Sequence, residues 1–479
     1  MALDTESQQK LEAFGYAQEL KRGIGLIGNL SLTLSVISPT TSVFIMVGAA
    51  VAFAGTGVAY AYVLGGIIAL MMGLCFAELG AAYPIAGGSY SIVLRELGKL
   101  PGFLTVASWL IQGITLPATV AGGMALYLCQ LFPALPQSIV ASASMLLITV
   151  IALLGISFNA RVAAVLLFIE FAATVFYIIV CWANLAQPLS VIFTPSIPAD
   201  GGLTPVAFSM VLAALVPVLF SFNGYDGALT FSEETLGVRQ NVWKSVIIAC
   251  AAAVGLETLA AVGGMLAAPS LLEFASAEAP LTYTANAILG EAGTVLLILA
   301  VVIAMFACAL ACVSQFARIV YTSGRDRMWP VAVSSLLARI HPTTRVPWVS
   351  VLVLGLIGTV LVFFTSLLAL VTFTGVLIVT VYALTALSAI VSRIRHSKLD
   401  RPFRMPLWPL PPLIALGGTG LALWSQSLND IYIAVGLFAL AVIYYLAYLR
   451  PRSDSLMQFV LTPMGEPEEE AATAEPATT

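Results

Sequence analysis

Three acids, Glu170, Asp226 and Glu257, stand inside hydrophobic runs long enough to cross a membrane, with no Lys or Arg at comparable depth to pair with them. An unpaired charge there costs at least ~2.5–3.5 kcal/mol. Each carboxyl must therefore be protonated, wet, or partnered by something not encoded as a basic side chain, such as a proton, a sodium ion or an ammonium group. Asp226 closes a helix-breaking stretch, Ser221-Phe222-Asn223-Gly224-Tyr225-Asp226-Gly227. A second break, Val36-Ile37-Ser38-Pro39-Thr40-Thr41-Ser42, carries the hydroxyls of Ser38, Thr40 and Thr41, which can donate to a carboxylate or satisfy the broken backbone, while Pro39 offers no N–H. Phe220, Phe222 and Tyr225 either cover an apolar solute stem or fill core. Glu170 takes up a proton, faces an amine, or is a neutral acid bonded between helices, and Glu257 reads most simply as the last of these.

The elements that position these groups follow from hydropathy. Of 479 residues, 60% are hydrophobic and 9% charged, and mean hydropathy is +1.01. A spanning helix needs roughly 20 mostly apolar residues. Twelve such spans are expected, at 24–52, 57–83, 102–129, 138–156, 161–184, 205–234, 243–268, 292–322, 346–364, 367–392, 408–426 and 430–449. The basic residues test that number independently, because they gather on the cytoplasmic side of a membrane. All 20 Lys and Arg fall before the first span, after the last, or in alternate connections and the span ends beside them, whereas the intervening connections and their span ends hold Asp200, Glu273, Glu278 and Asp430. Both termini are therefore expected in the cytoplasm, with residues 1–22 and the acidic, disordered 451–479 as tails.

Absences narrow the chemistry. The two histidines, His341 and His396, fall in connections, so no intramembrane imidazole is available as metal ligand or base. The six cysteines, Cys75, Cys129, Cys181, Cys250, Cys308 and Cys312, lie in or at the ends of apolar runs and read as small core residues. No phosphate-binding Gly-Lys-Ser or Gly-Lys-Thr loop is present to drive pumping with ATP. The polar stretch before the first span is unlike a cleavable signal peptide. The expectation is no enzyme, no cofactor, no metal and no nucleic-acid partner, only a small-molecule solute and the lipid bilayer. What remains is a pore, a carrier or a receptor.

The breaks discriminate among these. Backbone that leaves helical geometry at membrane depth needs new hydrogen-bond partners that lipid cannot supply. The two breaks lie in spans one and six, each the first of a five-helix set, and those spans run in opposite directions. Inverted repeats with discontinuous helices meeting at the midplane are a carrier signature, with half-helix N-termini facing anionic groups and freed carbonyls facing cations.

The motifs also carry a resemblance. Phe76-Ala77-Glu78-Leu79 with Tyr83-Pro84-Ile85-Ala86-Gly87-Gly88-Ser89-Tyr90 resembles the signature after the second helix of the amino acid–polyamine–organocation superfamily. Phe220 to Asp226, continuing to Glu233-Glu234-Thr235 and Arg239-Gln240-Asn241-Val242, is similar to its sixth helix and following loop. Arg318, Tyr321, Gly324-Arg325-Asp326 and Trp329-Pro330 resemble its eighth-helix ending, and Arg401-Pro402-Phe403-Arg404 with Pro406 the approach to its eleventh helix. The resemblance covers Gly23 to Arg404. It implies an all-α membrane protein of the leucine-transporter-like fold, with a transport core at 23–404 built as a 5+5 inverted repeat and two further helices at 405–450.

Two departures stand out against that family. Many members have a glycine-rich turn where this chain has Ser38-Pro39-Thr40-Thr41, and some proton-coupled bacterial relatives have a lysine where this chain has Glu170. The resemblance implies a secondary active transporter in the plasma membrane, a bacterial inner membrane, moving an amino acid or related small amine by alternating access. The substrate is expected at Ser38, Thr40, Thr41, Phe220, Phe222, Asn223, Gly224, Tyr225 and Asp226, with Glu170 as the coupling residue. The coupling ion is expected to be H+, with Na+ as the alternative. A polyamine or ethanolamine importer, a substrate/product exchanger and a non-transporting membrane sensor are the competing readings.

Overall fold

The computed structural model describes residues 24–452 apart from 84–87, 155, 200–201, 233–234, 326 and 345, with 156–165 described as helix without side chains. The segment 1–22, the tail from residue 453, the turn at 84–87, the side chain of Arg161, and Asp200, Glu233, Glu234, Asp326 and Arg345 lie outside the described residues.

The chain opens with α1 (Leu26–Ile37), α2 (Pro39–Ala54), α3 (Val58–Ala82), α4 (Gly88–Leu97), α5 (Lys99–Leu131), α6 (Gln137–Ala152) and α7 (Ile156–Ala183). A short antiparallel hairpin follows, β1 (Ser196–Ala199) and β2 (Gly202–Pro205), with Ser196 opposite Pro205. It is the one sheet among the described residues. Next come α8 (Phe208–Ala213), α9 (Leu215–Ser221), α10 (Gly227–Thr230), α11 (Val238–Leu266), α12 (Leu271–Ser276) and α13 (Pro280–Arg325). The chain continues through α14 (Val331–Leu337), α15 (Trp348–Phe364), α16 (Leu367–Arg395), α17 (Leu410–Trp424) and α18 (Leu428–Tyr444).

Among the described residues, seven helical stretches are long and apolar enough to cross a membrane, the first running from Leu26 to Ala82. Four shorter apolar helices accompany them, Gln137–Ala152, Phe208–Ser221, Trp348–Phe364 and Leu410–Trp424. The outward surface is apolar: Phe168, Leu296, Leu440 and Trp424 are all exposed, Trp424 by 87%. Such a belt is costly in water and costs nothing against lipid tails, so the molecule is a multi-pass membrane protein.

Local chemistry sets both interruptions. Pro39 excludes the preceding residue from right-handed helix, and Ser38 takes φ 48°, ψ 74°. Pro39 then occupies the first position of α2, where its missing N–H costs nothing. The freed carbonyl of Ile37 accepts a hydrogen bond from the Ser42 hydroxyl at 2.7 Å. In the other break Gly224 adopts φ 119°, a conformation open to glycine.

Helix packing rests on small residues. Gly65, Gly66 and Gly73 of α3 let Val218, Val254 and Cys250 approach, so that α9 and α11 lie close along α3. α13 packs against α5 and α7, α15 against α6, and α17 against α3 and α16.

Candidate functional site

The two interruptions are in contact. A Cβ on Gly224 would lie 3.0 Å from the Ile37 Cα and 3.0 Å from its backbone N, so glycine lets one break seat directly on the other. Around this point the broken helices pair crosswise: α1 packs with α10, and α2 packs with α9. The Asn29 side chain reinforces the first pairing by donating to the Ala228 carbonyl at 3.2 Å and to Thr235 Oγ1 at 2.9 Å. Ile24 also bridges to Thr235 as a single parallel β-bridge. Crosswise pairing of first halves with second halves requires the two broken helices to run antiparallel.

At the first break the hydroxyls turn inward. Ser38 Oγ donates to Thr41 Oγ1 at 2.6 Å, and Thr40 Oγ1 donates to the Glu170 carbonyl at 2.8 Å while lying 2.5 Å from Thr174 Oγ1. These bonds tie the start of α2 to α7. The Glu170 carboxyl lies beside the Ser38 hydroxyl and the Thr40 backbone N–H. Its Oε1 is buried without a hydrogen-bond partner. An acid is thus held against the N-terminus of α2, where the helix dipole favours negative charge. Cys308 of α13 approaches the freed Val36 carbonyl, Sγ to O 3.8 Å.

The second break faces a different space. Asn223 and Asp226 line a narrow cavity together with Trp109 and Gln112 of α5, Gln315 of α13 and Tyr382 of α16. Its volume is about 20 Å³, enough for one water. Asn223 Nδ2 donates to Tyr382 Oη at 2.8 Å, and Gln112 donates to Ser108, which donates on to the Leu377 carbonyl at 3.2 Å. Gln315 Oε1 has no partner among the described residues. Asp226 is the N-cap of α10, yet its carboxyl makes no capping bond.

Three aromatics from the same stretch pack into the core, Tyr225 also against the ring of the cavity-lining Tyr382 at 5.8 Å. Phe222 meets Tyr62 edge-on with ring centroids 5.6 Å apart, and Tyr225 meets Phe76 edge-on at 5.8 Å. Phe220 joins them in the buried core. Asn223 and Asp226 therefore share the cavity, Gly224 joins the breaks, Ser38 and Thr40 face Glu170 while Thr41 bonds to Ser38, and Phe220, Phe222 and Tyr225 occupy packed core. Trp109, Gln112, Gln315 and Tyr382 went unnoticed in the sequence. Gln112 and Gln315 left a signal, a polar amide inside an apolar span, but a neutral amide is less conspicuous there than a charge.

Two larger cavities, about 640 and 610 Å³, adjoin at Leu126, Gln137 and Glu278, beneath the segment joining α12 to α13. None of the residues singled out in the sequence as a site lines either.

At the opposite end of α3, Glu78 is buried in an ionic knot. Arg393 Nε and Nη2 reach its two oxygens at 2.7 and 2.5 Å, the Met405 backbone N–H donates at 2.7 Å, and Arg401 Nε lies 3.1 Å away. The Arg393 guanidinium rests 4.7 Å from the Trp408 ring centre. Beside it, buried Glu96 accepts from the Tyr83 hydroxyl and lies 3.1 Å from His396 Nδ1. The arrangement clamps α3, α4 and the end of α16 to the segment that leads into α17.

Comparison with known proteins gives one consistent result. A family profile described as amino acid permease matches residues 27–453. The chain is 24% identical over 463 residues to the serine/threonine exchanger of Bacillus subtilis, covering 89% of this chain and 97% of that protein. It is 25% identical over 437 residues to a branched-chain amino acid permease of Lactococcus lactis subsp. cremoris, covering 85% and 90%. With cationic amino acid transporter 4 of Mus musculus it shares 27% identity over 368 residues, covering 72% of this chain and 55% of that one. A profile match over nearly the whole described chain, on helices broken and paired as above, shows that the chain belongs to the amino acid permease family.

Proposed function

We propose that this transporter moves an amino acid or related small amine by alternating access across the plasma membrane, coupled to a cation, with a proton the first choice. It is a transport protein and not an enzyme. The crosswise pairing of the broken helices carries the reading, because it seats the two breaks on one another inside the membrane. The stretch Leu26–Ala82 holds two spanning units, so the long and short apolar helices together support twelve spans. The first ten form two inverted five-helix repeats within 23–404, and the last two belong to 405–450. The substrate amine is assigned to Asp226, with Asn223 and the backbone around Gly224 beside it.

The first break supports a division of labour. Glu170 lies where the hydroxyls of Ser38, Thr40 and Thr41 converge, and it takes the coupling proton there. A substrate carboxylate approaching Ser38 and Thr41 would meet that acid, so protonation of Glu170 and substrate binding favour one another. The relatives' names span hydroxylated, branched and cationic amino acids, so the substrate side chain is left to the cavity at Trp109, Gln112, Gln315 and Tyr382. The exchanger from Bacillus subtilis, matched over 97% of its length, supports substrate exchange as a second mode. Both termini are placed in the cytoplasm by the basic residues.

The decisive experiment is uptake of radiolabelled amino acids into proteoliposomes with imposed pH or sodium gradients. Wild-type protein should accumulate at least one amino acid, and Asp226→Asn should raise its half-saturating concentration about tenfold, the loss expected for one charge-assisted contact. Unaltered affinity and turnover in Asp226→Asn would show that the site is misplaced.

A further inference from the structure

We infer that Glu257 on α11 is a second proton-binding group of the transport cycle, linked to the sixth-helix break through Ser221. Glu257 is fully buried. One carboxyl oxygen, Oε2, accepts the Ser221 hydroxyl, and Ser221 is the last residue of α9 before the chain breaks. Because that hydroxyl has a single hydrogen, the Tyr62 hydroxyl, 3.2 Å from Ser221 Oγ, is the donor to Ser221. The other oxygen, Oε1, is buried with no partner. A carboxylate there would leave lone pairs unsatisfied in a medium without water, whereas a proton on Oε1 removes the charge.

Among the described residues no cation stands beside Glu257 to replace that proton. Among the described residues, the titratable side chains acting on Glu257 or acted on by it are Tyr62 of α3, Glu170 of α7 and Cys250 of its own helix. No Lys or Arg is among them. Of the other helices packed on α11, α1, α2 and α10 contain no titratable residue, and α13 turns Cys308 toward Glu170. Two buried acids, each with a bare Oε1, therefore face one another electrostatically from α7 and α11, one on each chain break. Ionising both together is unfavourable, so the proton on one depends on the state of the other. Rearrangement of the break at Phe222 to Asp226 shifts Ser221, removes the donor from Oε2 and raises the affinity of Glu257 for its proton. The α9–α10 motion is thereby coupled to proton uptake at Glu257, and its reversal to proton release. The inference rests on the carrier reading but on neither the substrate nor the role of Asp226.

Infrared pH titration of the full chain in lipid nanodiscs reads this group directly through the protonated-carboxyl stretch. The expected result is a band absent from Glu257→Gln, present in wild type at low pH and lost as pH rises. Ser221→Ala should make it persist to higher pH, and Glu170→Gln should make it vanish at lower pH. A band that is missing in Glu257→Gln yet constant with pH in wild type overturns the inference, as a permanently neutral structural acid. Should Glu257→Gln fail to fold, a wild-type band unmoved in both Ser221→Ala and Glu170→Gln overturns it equally. In proteoliposomes, pH-driven accumulation by Glu257→Gln should fall about tenfold per unit of gradient, the loss of one coupled proton. Accumulation unchanged from wild type overturns the coupling. Exchange of labelled for unlabelled substrate at zero gradient tests the carrier reading separately.

Discussion

Gly224 shows how little of this site depends on a conventional binding side chain. Its φ of 119° disfavours any L side chain, and its missing Cβ is the space into which the Ile37 backbone fits. Gly224→Ala should therefore insert into the membrane but lose transport, with destabilisation of about 1–3 kcal/mol from backbone strain alone. Thermal unfolding in detergent together with uptake would check both halves of that expectation. Glu170 poses the opposite case, an ionisable group whose surroundings leave one oxygen bare. Glu170→Gln keeps the shape and removes the titration, so the pH dependence of uptake should flatten while expression stays normal. An unchanged pH profile would take Glu170 out of the coupling role. The aromatics illustrate a limit of residue-scale reading. Tyr225 and Phe222 neighbour Asp226 in sequence, but the turn at Gly224 sends them to Phe76 and Tyr62 instead.

Elements carry the next layer, because each half-helix has a fixed partner. α1 goes with α10 through Asn29, and α2 with α7 through Thr40 and Thr174. Asn29→Ala would remove the donor shared by the Ala228 carbonyl and Thr235 Oγ1 and loosen α1 from α10, at a cost of about 1–3 kcal/mol. The measurement is hydrogen exchange at Ala228, Leu229 and Thr235, which should speed up in the variant with little change in α2. The Glu78 knot is stiffer. Removing one partner of a buried, hydrogen-bonded ion pair costs about 3–5 kcal/mol, so Glu78→Ala, which strands Arg393 and Arg401, should lower thermal stability sharply. Glu78→Gln should recover only part of it, since an amide offers a single acceptor to a bidentate guanidinium. The sequence marked Glu78 as part of the motif after the second helix. It could not reveal that Arg393 and Arg401, more than three hundred residues away, converge on it, because charge clustering in a connection looks the same whether the cations face lipid headgroups or a buried acid.

At the scale of the whole molecule, the proposed orientation rests on charge and has a direct test. All Lys and Arg stand on one side of the proposed twelve spans. In right-side-out vesicles, a cysteine placed at Ser276 or Glu278 on a background lacking the six native cysteines should react with an impermeant maleimide. One placed at Ser397 should react only after permeabilisation. Labelling of both from outside would overturn the three spans that the proposal puts between these positions. Large apolar side chains on the outer surface and an interior rich in glycine and alanine give the membrane helices close contact without the water-driven collapse available to a soluble core.

The sequence by itself determined the membrane environment, the positions of the helix breaks and the family, because hydropathy, Pro39, Gly224 and motif order are local properties of the chain. The tertiary structure decided which groups meet. It seated Gly224 on Ile37, paired α1 with α10 and α2 with α9, turned the first-break hydroxyls toward Glu170, and set Glu257 on Ser221. Those contacts join residues dozens to hundreds of positions apart, and no periodicity records them. Burial of a carboxyl can be read from an apolar run, but the partner that satisfies it belongs to another helix, and only packing chooses that helix.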